Sequence, residues 1–144
     1  MSGEVPRLGT FGALMRFAAQ LEGEAAERYA AWAGDPDLGG RFAALADSHR
    51  KRADQLARTV QEQLNEMTLE PISGLDASDY LPPEGPPSGD DAAARMAWAR
   101  DVEERLARLY EDATQRAGHV LGGASRSLQR LARQSRRAIE EMQG

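Results

Sequence analysis

The nine residues LEGEAAERY at 21–29 return in altered form as VEERLARLY at 102–110. In each copy a glutamate, Glu22 or Glu103, precedes a tyrosine, Tyr29 or Tyr110, by seven positions. Seven positions are two turns of an α-helix, so both side chains project from one face. The remainder of that face is apolar. A helix of this kind must bury its stripe against other helices, and it carries a carboxylate inward with it. An interior carboxylate is costly unless a cation, a metal ion or a hydrogen-bond network meets it. The partner of Glu22 and Glu103 is therefore the functional question.

The helical pattern extends around both copies. From Thr10, a candidate N-cap, Phe11, Leu14, Met15, Ala18, Leu21, Glu22, Ala25, Tyr29 and Trp32 form one stripe at 3–4 spacing. Gly34-Asp35-Pro36-Asp37 ends this first helix. A second begins near Leu38 to Arg41 and places Phe42, Leu45, Ala46, His49, Arg52, Ala53, Leu56, Val60, Leu64 and Met67 on its stripe. A third opens at Asp90 or Asp91, carries Ala99, Val102, Glu103, Leu106, Leu109, Tyr110 and Ala113, and runs to about Ala117. Gly118, Gly122 and Gly123 separate it from a fourth, with Leu128, Leu131, Ala132, Ser135, Ala138, Ile139 and Met142 in register.

Residues 68–91 differ in kind: they hold five of the seven prolines and no helical period. A loop of this length inside a compact domain needs a reason. A crossover running the length of a bundle supplies one, with Ile72, Leu75, Tyr80 and Leu81 as the residues to pin it. Residues 1–9 read as an irregular lead-in. The two halves align as a repeat: Phe17 with Trp98, Glu22 with Glu103, Tyr29 with Tyr110, Leu38-Gly39-Gly40 with Leu121-Gly122-Gly123, Phe42 with Leu128, and His49 with Ser135. The expected fold is all-α, a single domain over 1–144 with a hairpin at 10–67, a crossover at 68–91 and a second hairpin at 92–143. Two such hairpins make a four-helix bundle.

Composition removes several functions. No apolar run approaches the roughly 20 residues of a membrane span, and the N-terminus lacks a secretion-signal pattern. There is no cysteine, hence no disulfide, thiolate metal site or cysteine nucleophile. A cytoplasmic location is the default expectation. The net charge of −5 does not advertise nucleic-acid binding. No P-loop, dinucleotide glycine motif or nucleophile elbow is present.

The Glu-x6-Tyr helix, short turn and Phe-x2-Leu-Ala helix, repeated once, resemble the rubrerythrin branch of the ferritin-like superfamily over roughly residues 11–67 and 92–142. The resemblance implies a ferritin-like bundle holding two iron ions, each half supplying one Glu from its first helix and a Glu-x-x-His pair from its second. Glu22 and Glu103 match the first-helix ligands. The Glu-x-x-His positions fall at 49 and 52, where this chain has His49 and Arg52, and at 135 and 138, where it has Ser135 and Ala138. Four of the six ligand positions are altered, one of them to a permanent cation.

Two chemistries compete at these residues. In the first, Arg52 replaces the metal with a buried ion-pair network of Glu22, His49, Arg52, Glu103 and the hydroxyls of Tyr29 and Tyr110. The chain then carries no cofactor and acts as a non-catalytic structural or binding protein. In the second, Glu22, His49 and Glu103 bind iron, manganese or zinc, as a mononuclear or reduced di-iron site of an oxidoreductase or metal-storage protein. A third arrangement turns one or both Glu to solvent. Tyr29 and Tyr110 read as core tyrosines with satisfied hydroxyls more readily than as redox relays, and Trp32 and Trp98 as packing residues. His119 reads as a helix-end histidine and Ser135 as a packing serine.

Arg126, Arg130, Arg133, Arg136 and Arg137 make the fourth helix basic. That row is a solvated face pairing with acids such as Glu104 or Glu111, or a phosphate-binding strip; nucleic acid is the less favoured partner. A homodimer is expected from the resemblance alone, and no membrane partner is expected.

Overall fold

The computed structural model describes residues 6–62, 71–83, 85, 87, 91–117 and 122–143. Leu64, Met67, Asp90, Gly118, His119 and Leu121, named above, lie outside the described residues. Within them the chain is all-helical, with α1 at Phe11–Ala31, α2 at Gly39–Glu62, α3 at Ala92–Ala117 and α4 at Gly122–Gln143. A single 3-10 turn, Ala77–Asp79, interrupts the connection between α2 and α3. No described helix is long and apolar enough to cross a membrane.

Local chemistry sets the helix ends. Thr10 is extended, and its hydroxyl accepts the amide of Ala13, satisfying a donor that the first turn leaves open. Asp91 does the same for Ala93 and Ala94 at the start of α3. Asp35 closes the turn that leads into α2, its Oδ1 accepting the amides of Asp37 and Leu38 at 2.9 Å each. These bonds, and the Arg95 charge near Asp35, hold its carboxyl below the usual range. Gly39 answers a steric demand: a Cβ there would lie 2.3 Å from the Ala33 carbonyl oxygen. The corresponding glycines of the second hairpin take the same place in the helix. Gly122 and Gly123 begin α4 rather than break the chain before it. The first four amides of a helix need no partner within it, which lets glycine open one.

α1 packs on α2 and α3 on α4 as antiparallel hairpins, and the four helices form a bundle. Trp32, at the end of α1, meets Trp98, near the start of α3, edge to face with ring centroids 5.5 Å apart. At the other end the amide of Ile72 bonds to Gly9 just before α1. The end of α2 and the start of α3 therefore lie at opposite ends of the bundle. Because α3 is about 39 Å long at 1.5 Å per residue, the connection must travel that length.

Its path is pinned from one end of α3 to the other. Gly74, at φ +85°, sits against the Arg116 guanidinium. Tyr80 donates to Asp112, Arg105 donates to the Leu81 carbonyl, and Trp98 donates to the Pro83 carbonyl. Ile72, Ala77 and Tyr80 are buried in the core, with Leu75 and Leu81 packed against it. Leu8, within the lead-in, is also buried, at 4% exposure. The stripes of all four helices meet in one apolar core that includes Phe11, Leu14, Phe42, Leu56, Leu106, Leu109 and Leu128. Burying each such side chain contributes roughly 1.5–3 kcal/mol.

Candidate functional site

Six polar or charged side chains lie buried among the described residues: Glu22, Asp35, His49, Arg52, Glu103 and Ser135. Asp35 belongs to the α1–α2 turn. The other five meet in the middle of the bundle, together with Tyr29 and Tyr110. The cause is periodicity. Glu22 and Tyr29 share the inner face of α1, Glu103 and Tyr110 that of α3, His49 and Arg52 that of α2, and Ser135 that of α4.

His49 occupies the centre. Its Nδ1 is hydrogen-bonded to Oε1 of Glu22, and its Nε2 lies 2.6 Å from Oε2 of Glu103. One imidazole thus bridges carboxylates from two different helices of two different hairpins. Arg52 lies alongside. Its Nε is 3.3 Å from Glu22 Oε1, and its Nη2 is 3.6 Å from Glu103 Oε1. Nη1 donates to Ser135 Oγ at 3.3 Å. The same Nη2 lies 3.1 and 3.3 Å from the two ring nitrogens of His49, so the guanidinium also rests against the imidazole.

The tyrosines close the shell by exchange between hairpins. Tyr110 donates to Oε2 of Glu22 at 2.5 Å, and Tyr29 donates to Oε2 of Glu103 at 3.0 Å. Each Glu of one Glu-x6-Tyr helix is held by the Tyr of the other. Tyr29 stacks on Phe42 at 6.1 Å and tilts over His49 at 5.3 Å, which fixes its ring.

Burial works against every charge here, and the neighbours decide the outcome. Desolvation alone would lower the His49 pKa, but the charges of Glu103 and Glu22 and their hydrogen bonds raise it from 6.5 to about 9. Desolvation would raise Glu103, yet His49, Arg52 and the Tyr29 hydroxyl hold it below the ordinary carboxylate value. Burial and the adjacent carboxylates push both tyrosines well above their usual pKa, so their hydroxyls remain donors. Desolvation opposes the Arg52 charge, and Glu22 and Glu103 more than offset it. With His49 protonated, the formal charges of two glutamates, one imidazolium and one guanidinium sum to zero.

All six residues of the expected network are therefore placed together, and neither Glu faces solvent. The closest counter-ion of both carboxylates is His49, with Arg52 behind it. Ser135 has a polar task that a packing role did not anticipate: it accepts from Arg52. The available signal was its register opposite His49 in the aligned halves.

A resident metal ion fits this arrangement poorly. Glu22 and Glu103 approach opposite nitrogens of one ring, whereas ligands of a single ion must converge on a point. A protonated imidazole has no lone pair to give. Arg52 lies within 4 Å of both carboxylates, so a divalent ion between them meets a repulsion of several kcal/mol even at an effective dielectric near 20.

On α4, Arg136 reaches back to α3 and forms charge-assisted hydrogen bonds of 2.8–2.9 Å with Glu104 and Glu111. Those bonds raise the Arg136 pKa and lower that of Glu111. Arg126, Arg130, Arg133 and Arg137 remain exposed. No protein-family model, no curated protein and no solved structure matches this chain.

Proposed function

We propose that this chain is a ferritin-like, rubrerythrin-like bundle that has exchanged a di-iron centre for a metal-free, charge-neutral core, and that it serves a non-catalytic structural or binding role. The observation that carries this reading is the position of His49 between Glu22 and Glu103, each ring nitrogen engaged by one carboxylate. Arg52 supplies the second positive charge that a metal would otherwise provide. The reciprocal Tyr29–Glu103 and Tyr110–Glu22 bonds support an origin by repetition of one hairpin, because they relate equivalent residues of the two halves. The resemblance supports a homodimer, and a cytoplasmic location is proposed as the default.

One observation speaks for the alternative, a metal-binding oxidoreductase or storage protein using Glu22, His49 and Glu103. Oε1 of Glu103 is buried and has no hydrogen-bond partner. A buried carboxylate oxygen in that condition is a natural ligand for iron, manganese or zinc. Elemental analysis of protein purified without chelators separates the two readings. The expected result is no stoichiometric metal and no gain in melting temperature on adding ferrous, manganous or zinc ions. Stoichiometric metal that is lost on Glu22→Ala would refute the metal-free reading.

A further inference from the structure

On its α2–α4 side the bundle carries a cleft of about 590 Å³. Its size falls in the range of small-molecule sites. Two properties of its lining point to one class of ligand. Leu45, Met96 and Met142 give it an apolar surface, the two methionines buried and adaptable in shape. Four cations also line it, Arg41, Lys51, Arg52 and Arg137, against one carboxylate, Glu141. Lys51 shares an exposed ion pair with Asp47 at 3.1 Å, a contact weak enough to yield to a ligand.

Arg52 joins the wall of this cleft to the charged core. It lines the cleft with a side chain that is only 7% exposed, while its guanidinium lies against Glu22, Glu103 and Ser135. A guanidinium carries five N–H donors, and its planar fork suits a carboxylate. We infer that the α2–α4 cleft binds a free amphipathic carboxylate, its head held by Lys51 and Arg137 with Arg41 and its apolar body laid along Leu45, Met96 and Met142. A strongly hydrated inorganic anion gains nothing from the apolar lining, and a neutral lipid gains nothing from the cations. The inference rests on the binding role proposed above and names the ligand class for it.

The test is a calorimetric titration of the full chain with decanoate, with decanol and decyltrimethylammonium as controls. Decanoate should bind saturably at one site per chain, about tenfold or more tighter than either control, that is by about 1.4 kcal/mol or more. Reversing two exposed charges, Lys51→Glu with Arg137→Glu, should weaken decanoate about tenfold while the melting temperature falls only slightly, from loss of the exposed Asp47 pair. Ala44→Trp, which fills the cleft from an exposed position of α2, should abolish binding. Equal affinity for decanol, indifference to the charge reversal, or co-sedimentation with phosphatidylserine vesicles in place of decanoate binding would each overturn the inference. Metal content of the same preparation keeps the two claims apart. Metal-free protein that ignores decanoate refutes the ligand alone, and metal-loaded protein that binds it supports the cleft and refutes the metal-free core.

Discussion

The hydroxyl of Tyr110 reaches from one helical hairpin to the other and donates to Glu22 at 2.5 Å, in a site from which solvent is excluded. Its counterpart, Tyr29 to Glu103, is longer at 3.0 Å. Both bonds end on carboxylates that share one imidazole, so the inter-hairpin contact and the charge balance of the core are a single structure. Removing any member leaves another polar group buried without its partner.

The tyrosine bonds should therefore be unequal in weight. Hydrogen bonds to charged groups contribute about 1.5–3 kcal/mol, and a stranded carboxylate oxygen adds its own desolvation cost. Tyr110→Phe should destabilise the fold by about 2–3 kcal/mol and Tyr29→Phe by about 1 kcal/mol less, as read from urea denaturation. Equal effects would mean that the difference in length carries no energy.

His49→Leu should be the most damaging single change. It removes the bridge and leaves two buried carboxylates facing Arg52 alone, and breaking a buried pair from one side costs about 3–5 kcal/mol. Replacing the set together, with Glu22→Leu, His49→Leu, Arg52→Met and Glu103→Leu, should recover much of that loss, the remainder being the cost of the Tyr29 and Tyr110 hydroxyls left without their carboxylates. Chemical denaturation of the single and quadruple variants checks the pair of outcomes. A quadruple variant less stable than His49→Leu would show that the network holds the fold together rather than being tolerated by it.

Stability should peak in mildly acid solution. The folded-state pKa of His49, about 9, lies above the ordinary 6.5, so its contribution is fully present below pH 6.5 and is lost as pH rises through 9. A shift of that size corresponds to on the order of 3 kcal/mol. Glu103 is shifted downward, so its contribution is present above the ordinary 4.5 and is lost as pH falls below it. Urea midpoints measured across the range should therefore decline on both sides of a maximum between about pH 5 and 6.5. His49→Gln should remove the alkaline limb and weaken the acid one, because His49 is the chief group that holds Glu103 down.

The α3–α4 ion pairs should respond to salt where the core does not. Arg136 is 38% exposed, and Glu104 and Glu111 are exposed to a similar degree, so solvent screens their attraction. Arg136→Ala should cost about 1 kcal/mol in dilute buffer and little at 1 M salt. The penalty for His49→Leu should stay nearly constant over the same range.

Much of this arrangement was legible in the residues themselves. The 3–4 spacing of the apolar positions places four helices, Thr10 and Asp91 mark two of their beginnings, and the proline-rich stretch marks the crossover. The inward orientation of Glu22, Tyr29, Glu103 and Tyr110 follows from the same spacing, because a helix presents residues seven apart on one face. Gly122 and Gly123 were misleading, since glycine is compatible both with a break and with the opening turn of a helix. Leu8 escaped notice because its burial comes from packing beside the start of α1 and leaves no periodic signal.

What the sequence determined by itself was which groups enter the core: two carboxylates, two tyrosines, a histidine, an arginine and a serine, each set on an inner face by helical period. Which of them pair was decided only by the tertiary structure. Pairing depends on the axial offset and rotation of helices that are remote in the chain, and a periodic pattern carries no information about either. Shifting α2 by one residue would turn His49 and Arg52 away together by about 100° and leave both carboxylates without a counter-ion. The packed bundle instead puts the imidazole between Glu22 and Glu103 and sets Arg52 behind it, where it meets both the charged core and the cleft outside.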